Sequence, residues 1–340
     1  MENSLNVRPL TIEKTGMKQG TLDGEVAVIT GGGSNIGLGT ARSLAWLGAK
    51  VVIAQRSEQK GSEAAELINQ ENKPGTAIFV QTDVTIEESV NNLAKDVIDT
   101  FGKVDILMNN AMNMGGGGRS ILNAPIEVLD QQCSVSIRGT LHCIRAFVPA
   151  MVEQRHGVVG YVASGFRMAR GGGTYFAVKG ATSTMMMELA AELGDVKDTG
   201  VAVFMLVPGN VVEPPKNEEA GINRPSMFPG LNVGYEGSMP PEDAGAAIAY
   251  TITHAAEIHG SGVTTGQVQK HMGWPFPNPE LVPRGDFDRL RDGVGVRIYG
   301  YMGPGFSQPG YKRYSLSRSD SVPSESNSFL SLMNEIDDKK

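Results

Sequence analysis

From residue 21 onward the chain alternates short, almost continuous apolar runs with longer segments rich in helix formers. The runs cover residues 26–30, 51–54, 77–80, 104–108, 158–163 and 201–207, and β-branched residues dominate them. They lack the polar–apolar alternation of a half-solvated strand, which predicts strands buried on both faces. The intervening segments 40–47, 58–71, 87–100 and 182–193 are too long for turns and predict helices. Strand and helix in alternation give the fold class: α/β, a parallel sheet covered by helices on both faces, in one domain over residues 21–272.

The rhythm stops at both ends. Residues 1–20 are polar without a clear period and read as an N-terminal arm. Residues 273–312 are rich in glycine, proline and aromatics, as in Trp274-Pro275-Phe276-Pro277 and Tyr299-Gly300-Tyr301, and read as an extension packed on the domain. Residues 313–340 are serine-rich and charged, the composition of a disordered tail, with a short helix expected around 329–336.

Composition narrows the partners. The 340 residues carry a formal charge of -7, which argues against nucleic acid, whose usual footprint is a basic stripe. No apolar run is long enough to span a bilayer, and the first twenty residues lack a signal-peptide core, so neither membrane nor secretion is expected. Cys133 and Cys143 would lie too far apart on one helix to bridge, which fits a reducing, cytoplasmic setting. The five histidines show no metal-ligand spacing, so no metal is expected; His142 and His156 read as structural or exposed.

The first run leads into Gly31-Gly32-Gly33-Ser34-Asn35-Ile36-Gly37-Leu38-Gly39 and then a helix. A glycine turn between strand and helix brings backbone N–H groups against a pyrophosphate at a helix N-terminus. Asn35 stands where another glycine is expected, and asparagine tolerates positive φ better than most side chains. The second run ends at Ala54-Gln55-Arg56-Ser57, with no acidic residue to take the ribose hydroxyls of NAD. Arg56 can instead pair with a 2′-phosphate, and Ser34 can add a hydroxyl, which favours NADP(H) over NAD(H). The competing reading of Arg56 is a solvated charge at a helix start. Asp83, after the third run, could accept from an adenine amino group or cap the turn before Thr85.

Tyr175 precedes Lys179 by four residues, so on a helix the two share a face one turn apart. An ammonium beside a phenol favours the phenolate and brings its proton exchange towards neutrality. The hydroxyl of Ser164, at the end of the fifth run, could then orient a carbonyl or alcohol against that phenol. Tyr-x-x-x-Lys alone is common on solvated helices; its meaning depends on the rest of the chain.

Taken in order, Thr30-Gly31 with Gly37, Asp83-Val84, Asn109-Asn110-Ala111, Ser164, Tyr175 with Lys179, and Pro208-Gly209 resemble the short-chain dehydrogenase/reductase family, over residues 24–267. The glycines fit neither branch of that family completely. Asn109-Asn110-Ala111, Pro208-Gly209 and Pro241-Glu242-Asp243 followed by Thr265-Gly266-Gln267 favour the ordinary short branch, with a C-terminal extension. The resemblance implies a Rossmann-type, doubly wound sheet of about seven parallel strands and hydride transfer between NAD(P) and a small carbonyl or alcohol substrate. It implies that Tyr175 donates the proton, that Lys179 holds the nicotinamide ribose and lowers the tyrosine pKa, and that Ser164 binds the substrate oxygen. It places Asp83, Val84, Asn110, Ala111, Pro208 and Gly209 beside the cofactor. It also implies a homo-oligomer, a dimer or tetramer paired through the tyrosine helix.

The chain departs from that pattern at several points. Val135-Ser136-Ile137-Arg138-Gly139-Thr140 has Ser136 where the family has an asparagine that holds a relay water for the lysine. Met112 follows Ala111 in place of glycine, with Met114 and Gly115 to Gly118 beyond. Glu213 replaces a threonine expected to bind the nicotinamide amide, and Asn210 is the candidate to compensate. Arg167 and Arg170 lie in a short loop before Tyr175, as substrate contacts or as solvated charges. Residues 214–239 read as a substrate lid, and Met185-Met186-Met187 as core or subunit contact. The expectation is an NADP-dependent oxidoreductase on CH–OH/C=O groups. The alternatives are a nucleotide-binding sensor or scaffold with little turnover, motivated by Ser136 and Glu213, and an enoyl-type double-bond reductase.

Overall fold

The computed structural model describes residues 5, 7–113, 121–164, 173–212 and 232–282. Seven strands form one parallel sheet: β1 Val26–Thr30, β2 Lys50–Gln55, β3 Ala77–Gln81, β4 Ile106–Asn109, β5 Gly157–Val162, β6 Val201–Val207 and β7 Ser261–Thr264. Their order is β3-β2-β1-β4-β5-β6-β7, every neighbouring pair parallel. The order therefore reverses between β1 and β4, and the crevice for a ligand in such sheets opens at that switch, outside the carboxyl ends of the strands.

The apolar runs are continuous because both sheet faces are covered. Ile29 and Phe204 join one core, while their chain neighbours Val28 and Val203 join the other. A strand with solvent on one face would have alternated. Six of the seven strands coincide with the expected runs to within about two residues. The seventh, Ser-Gly-Val-Thr, buries one branched side chain, Val263, and leaves no run to read.

Helices α1 Asn35–Trp46, α2 Glu58–Glu71 and α3 Glu87–Phe101 connect the first four strands. Helices α4 Ile126–Cys133 and α5 Gly139–Glu153 are joined by one wide, π-type turn, Ser134–Arg138. Then come α6 Thr174–Leu193, α7 Val196–Thr199, α8 Pro241–Thr253 and α9 Thr265–His271. Helix α1 begins five residues before the expected helix because Gly37 and Gly39 lower its propensity without breaking it. Both are required by contacts: a Cβ on Gly39 would sit 2.1 Å from the Pro241 carbonyl oxygen, and one on Gly245 2.1 Å from Gly39 C. Thus α1 and α8 touch backbone to backbone.

The described part of the arm is packed. Ile12 is fully buried, the Arg8 N–H donates to Glu242 Oε1 at 2.8 Å, and Thr11 Oγ1 donates to Asp243. Trp274 at the other end is buried and donates through Nε1 to Tyr235 Oη at 3.1 Å. The described residues all belong to one compact unit, Met1–Gln308; the expected extension beyond residue 282 and the tail lie outside them. No helix among the described residues is long and apolar enough to cross a membrane.

Candidate functional site

The glycine turn sits where β1 runs out. Gly31 takes φ +67°, and a Cβ there would press on Ala111 Cα and Asn110 Nδ2 at 3.1 Å. A Cβ on Gly37 would lie 2.3 Å from the Gly31 carbonyl oxygen. The space that side chains would fill is therefore closed by the turn itself and by the end of β4. Asn110 makes that closure: its Nδ2 donates to Thr30 O at 2.9 Å and Gly31 O at 3.2 Å. Thr30 Oγ1 in return accepts from the N–H groups of Asn110 and Ala111. Asn110 thus shapes the turn, a task the spacing alone did not reveal.

Helix α1 follows with Asn35 at φ +47°, the left-handed value anticipated for the asparagine at this position. Ser34 precedes it without a side-chain cap, and the first turn contains no acidic residue. The open N–H groups of a helix start and its partial positive charge favour an anion there. Ile36 beside them is half-buried. Gly33 packs against the other edge, where a Cβ would meet Lys60 O at 3.0 Å and Gln55 Cγ at 3.1 Å. Arg56, next in line after β2, is exposed; its carbonyl accepts from Gln81 Nε2, and its guanidinium forms no ion pair among the described residues.

Asp83 uses Oδ1 to accept from the Thr85 N–H and hydroxyl, at 2.9 and 2.7 Å, so its turn-forming role is realised. Val84 packs over Gly139, and its carbonyl lies 2.9 Å from His142 Nδ1, which makes His142 structural. Pro208 and Gly209, the latter at φ +83°, end β6. Asn210 follows and donates through Nδ2 to Ser238 Oγ at 2.8 Å, while its N–H is taken by Asn232 Oδ1 at 3.0 Å. Asn210 is therefore built into the foot of the segment expected to form a lid.

On the next strands, β5 carries the chain to Ser164 and α6 carries Tyr175 and Lys179 on one face. The start of α6 is fixed to α4 by Thr174 Oγ1, which donates to the buried Gln132 at 2.8 Å. The Ser164 side chain acts on the Tyr175 phenol. Burial pushes the phenol above its ordinary value, and Ser164 pulls it partly back. The expected lowering by lysine does not dominate here. Lys179 Nζ lies 5.9 Å from the Tyr175 ring centre and donates to Val162 O at 2.6 Å. Lys179 is itself buried, which brings its pKa down from 10.5 to about 7, so its charge is only partly present at neutral pH.

Ser136, fully buried in the wide turn between α4 and α5, contacts Tyr161 Oη at 3.1 Å and Thr182 Oγ1 at 3.2 Å. Tyr161 was not singled out from the sequence, because a tyrosine inside a β-branched run reads as core. Its ring lies 4.7 Å below Lys179 Nζ. Met186 is core, with Met185 and Met187 packed against it.

Spacing along the chain also missed a cluster at the amino ends of the central strands β1, β4 and β5. Glu25, Asp105 and His156, each just before a strand, bring ligand atoms within 4.8 Å of one another. These atoms are engaged: Asp105 holds Lys103 Nζ at 2.9 Å and the Val26 N–H at 2.8 Å, and His156 Nε2 meets Glu25 at 2.9 Å. Met114, Gly115 to Gly118, Arg167, Met168, Ala169, Arg170, Glu213 and residues 214–231 of the expected lid lie outside the described residues.

A family model described as short chain dehydrogenase matches residues 25–221. An uncharacterised oxidoreductase of Staphylococcus epidermidis is 31% identical over 246 residues, 71% of this chain and 96% of that protein. One from Staphylococcus aureus is 32% identical over 249 residues, 73% of this chain and 99% of that protein. Among solved structures, a 3-ketoacyl-(acyl-carrier-protein) reductase from Brucella melitensis complexed with NADH has a TM-score of 0.61 at 28% identity, over 72% of this chain and 97% of that one.

Proposed function

This chain belongs to the short-chain dehydrogenase family, and from that premise we propose that it is an NADP(H)-preferring oxidoreductase acting on a small carbonyl/alcohol pair, with Tyr175 as general acid and base. The observation that carries the reading is Tyr175 under the influence of Ser164, with Lys179 on the next turn of the same helix and its Nζ 5.9 Å from the Tyr175 ring centre. This group follows the carboxyl end of β5, beside the switch at which the glycine turn opens.

The turn fits a dinucleotide. Gly31 and Gly37 let the turn close tightly on itself and on the end of β4, the start of α1 is free of acidic residues, and Arg56 is exposed just after β2. Gly33, Ser34, Asn35 and Ile36 would line the phosphates, Asp83 and Val84 the adenine side, and Asn110, Ala111, Pro208 and Gly209 the nicotinamide side. When bound, the nicotinamide gives or takes the hydride. Tyr175 Oη supplies the proton that a reduced carbonyl oxygen requires, and removes it in the reverse direction. Its raised pKa keeps that proton in place at neutral pH, which suits reduction. Ser164 Oγ holds the same substrate oxygen.

Tyr175→Phe should cut turnover by about 10² to 10⁴ while nucleotide affinity stays nearly unchanged. Full activity in that variant would remove Tyr175 from the chemistry. For the nucleotide, fluorescence titration should show NADPH binding on the order of tenfold tighter than NADH, through the charge-assisted bonds of Arg56. Equal affinities would remove the case for the 2′-phosphate; the Brucella melitensis relative was complexed with NADH. A cytoplasmic location and a homodimer or tetramer paired through α6 complete the reading, in keeping with two free cysteines.

A second reading, a nucleotide-binding sensor with little turnover, is favoured by one observation. Ser136 spends its described contacts on Tyr161 and Thr182 rather than on Lys179. Nucleotide binding without turnover across a broad carbonyl and alcohol panel would select it.

A further inference from the structure

Building on the reading that Tyr175 and Lys179 handle the proton, we propose that Tyr161 is the positioning residue for Lys179: its ring carries the ammonium from below, and a chain of hydroxyls through Ser136 and Thr182 fixes the ring.

The support for the ammonium is sparse. Lys179 is 2% exposed, donates to Val162 O at 2.6 Å, and has no carboxylate partner among the described residues. The groups facing it are Tyr161 from β5, with its ring centre 4.7 Å from Nζ, and Tyr175 from its own helix at 5.9 Å. Of the two rings, Tyr161 is the nearer and the more deeply buried, at 1% exposure. A desolvated cation over an aromatic face is strongly held, because the ring presents negative charge where water is excluded.

The hydroxyl chain has a direction. Thr182 Oγ1 lies 3.0 Å from Val178 O, and a carbonyl can only accept, so the Thr182 proton points there. Thr182 must then accept from Ser136, and Ser136 must accept from Tyr161, since each hydroxyl has one proton. The three protons are all committed. The chain starts at Tyr161 and stops on the Val178 carbonyl of α6, with no described hydrogen bond to the Lys179 ammonium. This arrangement orients the Tyr161 ring and passes no proton to the lysine. Ser136 accordingly serves the ring, in place of the relay-water role that the family resemblance implied for its position. The small serine in the wide turn leaves room for the tyrosine hydroxyl.

The test uses the full chain and its Tyr161→Leu, Tyr161→Met and Tyr161→Phe variants. With ¹³Cε-labelled lysine, NMR follows the titration of Lys179 in the ligand-free protein, assigned by its loss in Lys179→Met; circular dichroism confirms folding. Without the ring, the ammonium loses its partner, so the Leu and Met variants should titrate about one unit lower than wild type. The basic limb of the kcat–pH profile, where the ammonium is lost, should move with it. Tyr161→Phe keeps the ring and should restore both. Thr182→Val, which breaks the chain but leaves the ring, should move the Lys179 midpoint in the same direction by less, and reports on the proposal even if the ringless variants do not fold. An unchanged midpoint in the ringless variants, or in Thr182→Val where only that one folds, would overturn the proposal. So would a Phe variant shifted as far as Leu. The NMR readout does not need turnover. A displaced Lys179 midpoint alongside a fully active Tyr175→Phe would sink the catalytic reading and leave this one standing.

Discussion

Two buried polar clusters lie against opposite faces of the sheet, and they treat charge differently. On the α1/α8 face, the Arg42 guanidinium is 2% exposed and uses every edge. Nε and NH2 grip Glu71, NH1 meets Glu242 Oε1 at 3.0 Å, and NH2 also holds Arg8 O at 2.9 Å. Carboxylates surround the cation, and the helices around them approach to backbone contact at Gly39 and Gly245. On the α5/α6 face, Lys179 is equally buried but has a carbonyl, two phenol rings and neutral hydroxyls for company. The first cluster neutralises its charge and locks elements together. The second leaves a charge uncompensated, so its proton is easily removed, the condition expected of groups that work near neutral pH.

The sharpest way to break this comparison is to unbalance the first cluster. Arg42→Leu should leave Glu242, already pushed above the usual carboxylate range by burial, without its main cation. Removing one partner of a buried ion pair costs about 3 to 5 kcal/mol. Urea unfolding should show that loss, while the fraction that remains folded keeps its nucleotide affinity. A change below about 1 kcal/mol would mean that Arg42 is no keystone of the scaffold.

Much of this layout was legible in the chain, for identifiable reasons. Strands β1 to β6 were readable because burial on both faces makes them apolar at successive positions, as Val28 and Ile29 show. The shared face of Tyr175 and Lys179 followed from helical geometry alone. What escaped depends on register between distant segments. Nothing local to Ser136 says that it faces Tyr161, 25 residues away, or Thr182, 46 away. Gln132 and Thr174, which seat the start of α6, are likewise joined across 42 residues. The lysine's effect on Tyr175 was inferred from proximity alone, whereas burial acts on both groups, raising the phenol and lowering the ammonium.

Lys179→Met supplies the complementary test, with the opposite sign. In the unfolded chain the lysine titrates near 10.5, and in the folded, ligand-free protein near 7. Between those values the folded state binds fewer protons than the unfolded one, so the wild-type protein gains stability as pH rises through that window. Below pH 7 the full cost of burying the ammonium is present. Replacing Lys179 with methionine removes that cost, offset in part by a Val162 carbonyl left without its donor and by the lost ring contact. The net gain should be on the order of 1–3 kcal/mol at pH 6 and should shrink towards zero or below by about pH 10. Chemical denaturation of the two ligand-free proteins across that range measures it directly. The same variant should lose turnover, since stability here is gained by removing the group that the site keeps uncompensated. A Lys179→Met protein destabilised at pH 6 would show instead that the lysine is held as tightly as Arg42, and the contrast between the two clusters would fail.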